Sequence, residues 1–433
     1  MTDSGSRCRV AAAQVLVQVW QGRSLKAALQ QERIHFDDGR DRALLEAMCL
    51  GAVRHRRQLE FALTCFLEKS LEKQDLICHC LLLAGLVQLH ILQLPAHAAV
   101  SATVEAAKDL SRASRAGLIN AILRRSLREG LPESEHLAVR ENHPDWLMKR
   151  LQNDWPGHWP AIVAANNQQA PLCLRVPGAA QVRTSYVSEL QAQGIEVIAP
   201  AFPPQALRLQ RALSPTQLPG WEDGRVSVQD LSAQCAAEAL AVRPGETAWD
   251  MCAAPGGKAA QLAEAKPAYL LLTDIDADRL DSVRHVFERL QCMADTVDFR
   301  VCDATKAMTE IGPGHFDAIL LDAPCSATGI IRRQPDVKWH RREKDIDALN
   351  TLQWQLLKNA WHHLKPGGRL LYSTCSVLKA ENERLLQSFM KQHADASELK
   401  LPEIYGMACS IGRQRFPEQD GGDGFYYALL QKA

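Results

Sequence analysis

Hydrophobic positions divide the chain into three stretches of different period. Through about the first 140 residues they recur at the spacing of amphipathic helices. Residues 11–20 and 42–53 are periodic in this way, and the run over 76–94 is apolar nearly all round, as the central helix of a bundle should be. That run contains His79, Gln88 and His90 and stops at Pro95, so it predicts a buried core helix and not a membrane span. Helices over 96–110 and 117–127 follow, the second ending near Gly130-Leu131-Pro132, and no strand pattern interrupts the series.

After His143-Pro144 the pattern loosens. Short apolar runs at 172–176, 194–198, 206–209 and 225–228, punctuated by Pro and Gly, predict a small α+β region. From Gln229 onward strand and helix patterns alternate. Strands are predicted over 247–250, 269–273, 296–301, 316–321 and 369–373, and helices over 256–263, 278–290 and 349–364. Such alternation builds a mostly parallel, doubly wound sheet whose ligands sit at the carboxyl ends of strands. Here those ends carry Asp250, Asp274, Asp303, Asp322 and Cys375.

Composition adds bounds. A chain of 433 residues with 46% hydrophobic and 23% charged residues is a soluble globular protein of two or three domains, not a disordered, collagenous or disulfide-stapled one. The 50 basic and 50 acidic residues cancel, which excludes nucleic-acid binding by bulk charge. Local patches remain: residues 1–150 hold 21 Lys/Arg against 17 Asp/Glu, a difference of +4, concentrated at 54–57 and at Arg124-Arg125. The thirteen cysteines form no repeated C-x-x-C pairs, so no zinc site or other metal is expected and a reducing compartment is implied. The opening MTDSGSRCRV lacks the apolar core of a secretory signal, and a cytoplasmic location is expected.

The loop Cys252-Ala253-Ala254-Pro255-Gly256-Gly257-Lys258 lies where a nucleotide-type ligand should bind, its small residues letting backbone approach a ligand at a helix N-terminus. It is neither G-x-G-x-x-G nor a P-loop, which removes the usual device for hydride transfer and for NTP hydrolysis. Asp274, about 20 residues on, suits a ribose diol, and Asp303 an adenine amino group. Two acids facing an adenosine favour S-adenosylmethionine over a dinucleotide. The plain alternative for each acid, a helix N-cap, weakens when every strand end carries one. Two further motifs follow strands: Asp322-Ala323-Pro324-Cys325-Ser326 and Ser373-Thr374-Cys375-Ser376. A lone cysteine is usually an inert small hydrophobe. Two beside a cofactor loop point to thiol chemistry.

The set CAAPGGK, Asp274, Asp303, DAPCSATG, TCS and the closing Gly422-Asp423-Gly424-Phe425-Tyr426 resembles the bacterial 16S ribosomal RNA cytosine carbon-5 methyltransferases of the Sun/Fmu (RsmB) type. The helical segment LLLAGLVQLHILQLPAHAAVSATVEAA resembles the NusB-like RNA-binding domain fused to them. The resemblance implies a multidomain protein: an all-α NusB-like domain over 1–141, a small α+β linker over 142–228, and a Rossmann-like class I methyltransferase domain over 229–433. It implies methyl transfer from S-adenosylmethionine to carbon 5 of a cytosine in 16S ribosomal RNA, on an unassembled or partly assembled small subunit, by a monomer. Cys375 is then the nucleophile at carbon 6, Cys325 serves elimination, and Asp322 acts on the ring and borders the cofactor. On the residues alone the two thiols are interchangeable. Arg175-Val176-Pro177 departs from the family, which commonly has Asn after the apolar residue. Same-motif enzymes acting on transfer RNA are the alternative, and a non-catalytic RNA-binding or antitermination factor is the alternative of another class.

The target base must leave its stack for a thiol to reach carbon 6. Residues 331–342 hold five Lys/Arg, one Asp and Trp339 directly after the DAPCSATG motif. They predict an RNA contact, with Trp339 stacking on a base and Arg332 and Arg333 meeting phosphates. The patch at 54–57 is a second, weaker candidate.

Overall fold

The computed structural model describes residues 4–211, 213–417 and 421–433. They form two compact units, the described residues of 4–168 with 331–341 and those of 169–330 with 342–433.

The first unit is helical. Ser4–Trp20 packs against Leu76–Leu86, Gly39–Arg54 and Ala96–Asp109 around a core that includes Leu16, Leu45, Met48, Leu81 and Leu123. Side chains cap the starts: Ser24 accepts from the amide of Ala27, Asp38 from that of Arg40 and Asp75 from that of Cys78. Of the polar residues of the apolar run, His79 and Gln88 are buried and His90 is half-buried, bonded to Ser126 Oγ at 3.0 Å. Gln88 is fully buried, accepts from Arg9 Nε at 2.8 Å and donates to the Ala84 carbonyl at 3.0 Å. Among the described residues no helix is long and apolar enough to cross a membrane. Asp145–Asp154 and Trp159–Asn166 carry the helical unit to Gln168.

The basic segment at 331–341 belongs to this helical unit, where Lys338 and Arg332 are committed to the fold while Arg333 stays half-buried beside a cavity also lined by Lys26, Arg33 and Arg42. Lys338 is fully buried and donates to the carbonyls of Arg54 and Asn142, both at 2.8 Å, and to Asn167 Oδ1 at 3.0 Å. Burial, then the charge of Arg54, pushes its pKa well down, and three oxygen acceptors compensate the desolvation. The Trp339 indole donates to the Val53 carbonyl at 2.7 Å and, half-buried, packs on the helical core. Arg332 is 1% exposed. The patch at 54–57 is likewise committed. Arg54 donates to the Arg332 carbonyl, Arg56 pairs with Glu60 and lies over Trp20, and Arg57 pairs with Asp145. These cations meet acceptors of the fold, because main-chain oxygens exposed at helix ends are strong partners for buried donors.

The second unit contains two sheets. A four-stranded antiparallel sheet runs in the order Val197–Ile198, Ala206–Leu209, Cys173–Arg175, Ser227–Val228. Arg175, the departure from the family, is fully buried; it donates to Gln229 and Gln205 and pairs with Glu264 in the loop after Gly257–Ala263. It therefore ties the small sheet to the larger one. The nine-stranded sheet has a parallel core: Leu364–Thr374, Phe316–Asp322, Thr247–Asp250, Tyr269–Asp274 and Val297–Val301, in that spatial order. Leu270, Leu271 and Leu272 are all fully buried, which requires both faces of the sheet to be covered. Phe425–Lys432 adds antiparallel to Leu364–Thr374, placing Tyr426 opposite Thr374, and Arg413–Arg415, Met407–Ala408 and Ala396–Leu399 complete the edge. This antiparallel extension has no counterpart in the sequence reading.

Candidate active site

The parallel strands place the loop after Thr247–Asp250 between two neighbours, at the crevice where such sheets bind ligands. Main-chain bonds pin it: Ala253 N–H donates to the Thr273 carbonyl at 2.9 Å, and Ala254 N–H to Asp274 Oδ2 at 3.3 Å. Gly256 has φ +102°, and a Cβ there would stand 3.1 Å from Val283, so glycine is required to turn the loop into helix Gly257–Ala263. Beside it lies a cavity of about 440 Å³ whose lining includes Asp230, Asp250, Cys252, Ala253, Lys258 and Asp322. Asp274 and Asp303 are outside that lining. Asp274 supports the loop and pairs with Arg279, whereas Asp303 accepts from Thr305 N and Oγ1 in a turn with no helix behind it, so it is not the helix N-cap weighed as the plain alternative.

Asp250 carries more than the sequence reading gave it. It is 1% exposed, and neither carboxylate oxygen has a hydrogen-bond partner. Burial, then the charge of Asp322, raises its pKa to about 7, against the opposing pull of Lys258. A buried carboxylate without a partner on the wall of a cavity calls for a cationic ligand group. Its position, closing a strand directly before the loop, was the available signal.

Asp322 joins the pieces. Its Oδ2 accepts from Lys258 Nζ at 2.7 Å and its Oδ1 from Ser373 Oγ at 2.9 Å, the residue opposite it in the sheet register. Burial works against the Lys258 charge, but Asp322 outweighs it and the pKa is raised, with Cys375 among the further contributors. Lys258, read from the sequence as part of the cofactor loop, is thus an ion-pair partner of Asp322 that also feels Cys375.

The two thiols meet: Cys325 Sγ and Cys375 Sγ are 3.4 Å apart. The hydrogen bond to Cys375, then burial, then the Cys375 charge push Cys325 well up, so the buried Cys325 favours its protonated form. Among the described residues no helix begins immediately behind Cys375; the next starts at Glu383. The other eleven cysteines are free, and six of them, Cys8, Cys49, Cys78, Cys80, Cys173 and Cys235, are buried.

Main-chain contacts hold the thiol loops together. Gly329 N–H donates to the Cys375 carbonyl at 2.8 Å, and Gly424 N–H to the Gly329 carbonyl at 2.9 Å. A Cβ on Gly329 would stand 2.1 Å from the Gly424 oxygen and 2.8 Å from the Cys375 oxygen, which explains the glycine closing DAPCSATG. Gly329→Ala is expected to displace the Cys375 loop and lower turnover about 100-fold, read as initial rate per folded enzyme.

A parallel-core sheet with a ligand crevice at its switch point, edged by an antiparallel extension, defines a class I methyltransferase fold. Residues 237–431 match the family described as 16S rRNA methyltransferase RsmB/F, residues 143–216 its ferredoxin-like domain, and residues 6–128 the NusB family. Ribosomal RNA small subunit methyltransferase B of Xanthomonas campestris pv. campestris is 47% identical over 99% of this chain and 98% of its own length. The same-named protein of Xylella fastidiosa (strain Temecula1) is 44% identical over 100% and 99%. The chain belongs to the RsmB/F methyltransferase family. A solved methyltransferase homolog from Pyrococcus horikoshii, 28% identical with TM-score 0.58, covers 68% of this chain and 97% of its own. The crystal structure of PH0851, at 22% identity and TM-score 0.84, shares the fold over 100% of this chain and 99% of its own.

Proposed function

We propose that the protein methylates carbon 5 of a cytosine in 16S ribosomal RNA, using S-adenosylmethionine and a transient covalent bond from Cys375 to carbon 6. The observation that carries this reading is the pair of thiols 3.4 Å apart, one keeping its proton, beside a cavity with an orphaned carboxylate. The near-full-length relatives, named as ribosomal RNA small subunit methyltransferases, support the substrate class.

The residues present fit the cofactor. Asp250 offers an acceptor-only charge to its cationic end, and the glycine-bearing loop offers backbone contact. When bound, S-adenosylmethionine supplies an electrophilic methyl group on a sulfonium. Carbon 5 of cytosine is a poor nucleophile until a thiolate adds at carbon 6 and moves the π electrons toward carbon 5. Cys375 performs that addition, and Asp322, held by Lys258 and Ser373, faces the polar edge of the ring. Once Cys375 is a thioether, its charge no longer holds the Cys325 proton. Cys325 then gives its proton to water and, as thiolate, takes the carbon 5 proton, and the electron pair of that C–H bond forms the C5–C6 double bond and expels Cys375 as thiolate.

Asp250 sets a pH dependence. Its raised pKa means the cofactor-free fold holds a proton that the unfolded chain has lost, so this group's contribution to stability declines as pH rises from about 4 to about 7. A cationic ligand pairs with the ionised form, so binding at pH near 6 should release a proton and weaken as pH falls. Titration calorimetry in two buffers of different ionisation enthalpy reads this directly, and Asp250→Asn should abolish the proton release while weakening binding.

The reading places the enzyme in the cytoplasm, acting as a monomer on unassembled or partly assembled small subunits. Its test uses RNA labelled with tritium at carbon 5 of cytosine. Tritium should appear in water with each methyl group transferred to 16S ribosomal RNA. Methylation without tritium release would refute carbon 5 chemistry, and activity confined to transfer RNA would move the substrate to the alternative.

A further inference from the structure

We propose that Glu381 is a positioning residue that fixes the spacing of the two reacting thiols, because its buried carboxylate grips the serines that directly follow Cys325 and Cys375. The inference rests on the thiol chemistry of the preceding section but adds a group outside it. Glu381 is fully buried. One carboxylate oxygen accepts from Ser326 N–H at 2.8 Å and from Gln353 Nε2 at 3.1 Å. The other accepts from Ser326 Oγ at 2.5 Å and from Ser376 Oγ at 2.6 Å. Donors from both thiol-bearing loops thus converge on one side chain, which bridges chain segments about fifty residues apart.

Four donors directed at one group require an acceptor-only partner, and an ionised carboxylate is the side chain that has this property. Burying it costs free energy that a purely packing role would not justify, and the charge-assisted hydrogen bonds offset that cost. Its surroundings are fixed in turn. The Tyr372 hydroxyl donates to the Glu381 carbonyl at 2.7 Å, and Asn382 Nδ2 to the Ser376 carbonyl at 3.0 Å. Thr328 Oγ1 joins the two loops again, lying 3.1 Å from both Ser326 Oγ and Ser376 Oγ. With the residue after each cysteine held at a common point, the 3.4 Å sulfur separation becomes a property of the fold and not of two mobile side chains.

Glu381→Gln keeps the shape but turns an N–H₂ toward one of the donors, so one loop must move away. Because misplacement by about 1 Å can cost about 100-fold in rate, turnover at saturating RNA and cofactor should fall by about that factor. The KM for RNA and the S-adenosylmethionine dissociation constant should stay within about twofold, since neither is bound by this group. In a Cys325→Ala background, accumulation of the RNA adduct should slow by a similar factor when Glu381→Gln is added. The paired variant Ser326→Ala, Ser376→Ala removes the hydroxyl donors without a charge change, and it should lower turnover in the same way.

A Glu381→Gln enzyme with unchanged turnover overturns the proposal. So does a loss of folding or cofactor binding in Glu381→Gln accompanied by full turnover in the paired serine variant. If Cys325→Ala forms no adduct at all, the thiol assignment fails instead, and the split between turnover and KM in Glu381→Gln still decides the positioning role.

Discussion

Cys375→Ala is expected to abolish methyl transfer and to form no covalent RNA complex, whereas Cys325→Ala is expected to accumulate an RNA adduct that survives denaturing gels. The expectation follows from the asymmetry between the thiols. Cys325 is buried and keeps its proton through its hydrogen bond to Cys375, while Cys375 is the more exposed of the two and lies within reach of the Lys258 charge. Removing the nucleophile eliminates the first bond. Removing the group that serves elimination leaves that bond in place after the methyl group has moved, so the enzyme stays attached to its product. Loss of turnover should be about 10⁴-fold or more in each case, because neither half of a covalent cycle proceeds without its group. The adduct phenotype separates the two roles where the rates do not. An adduct in Cys375→Ala and none in Cys325→Ala would exchange the assignments.

Lys338→Ala should destabilise the helical unit by about 3–5 kcal/mol, since it leaves buried acceptors unmet and a cavity where the side chain ran. The carbonyls of Arg54 and Asn142 and Oδ1 of Asn167 would lose their donor together. Urea denaturation would show a lower midpoint with little change in slope. Lys338→Met, which refills most of the volume, should recover part of the loss. The salt dependence of RNA binding, measured on the folded variant, should not change. A reduced salt slope with unchanged stability would mean that this lysine meets phosphate after all.

The same lysine shows where the sequence stops being legible. Five cations and a Trp in residues 331–342 read locally as a solvated, RNA-facing loop. What commits Lys338 and Trp339 to the interior is a set of main-chain oxygens at Val53, Arg54 and Asn142, far away in the chain and carrying no signature of their own. Every residue has a carbonyl, so composition cannot reveal which ones will be left open at a helix end. The catalytic half was far more readable. Alternation of strand and helix brought Asp250, Asp322 and Cys375 to one edge of the sheet. Even there, polarity alone did not separate functions. Asp250 ends a strand and Asp303 lies two residues past one, but the first has no side-chain hydrogen-bond partner and the second caps its own turn, a difference set by burial. Glu381 was invisible for a related reason: its role depends on the convergence of two loops, and a single acid in a helix-like run carries no sign of it.

The central claim is tested most directly by bisulfite sequencing of total RNA from a strain lacking this gene, complemented with the wild type or with Cys375→Ala. The account predicts that one cytosine of 16S ribosomal RNA loses its mark, regains it with the wild type and stays unmarked with Cys375→Ala. Retention of every 16S mark in the deletion strain, or restoration by Cys375→Ala, would contradict it.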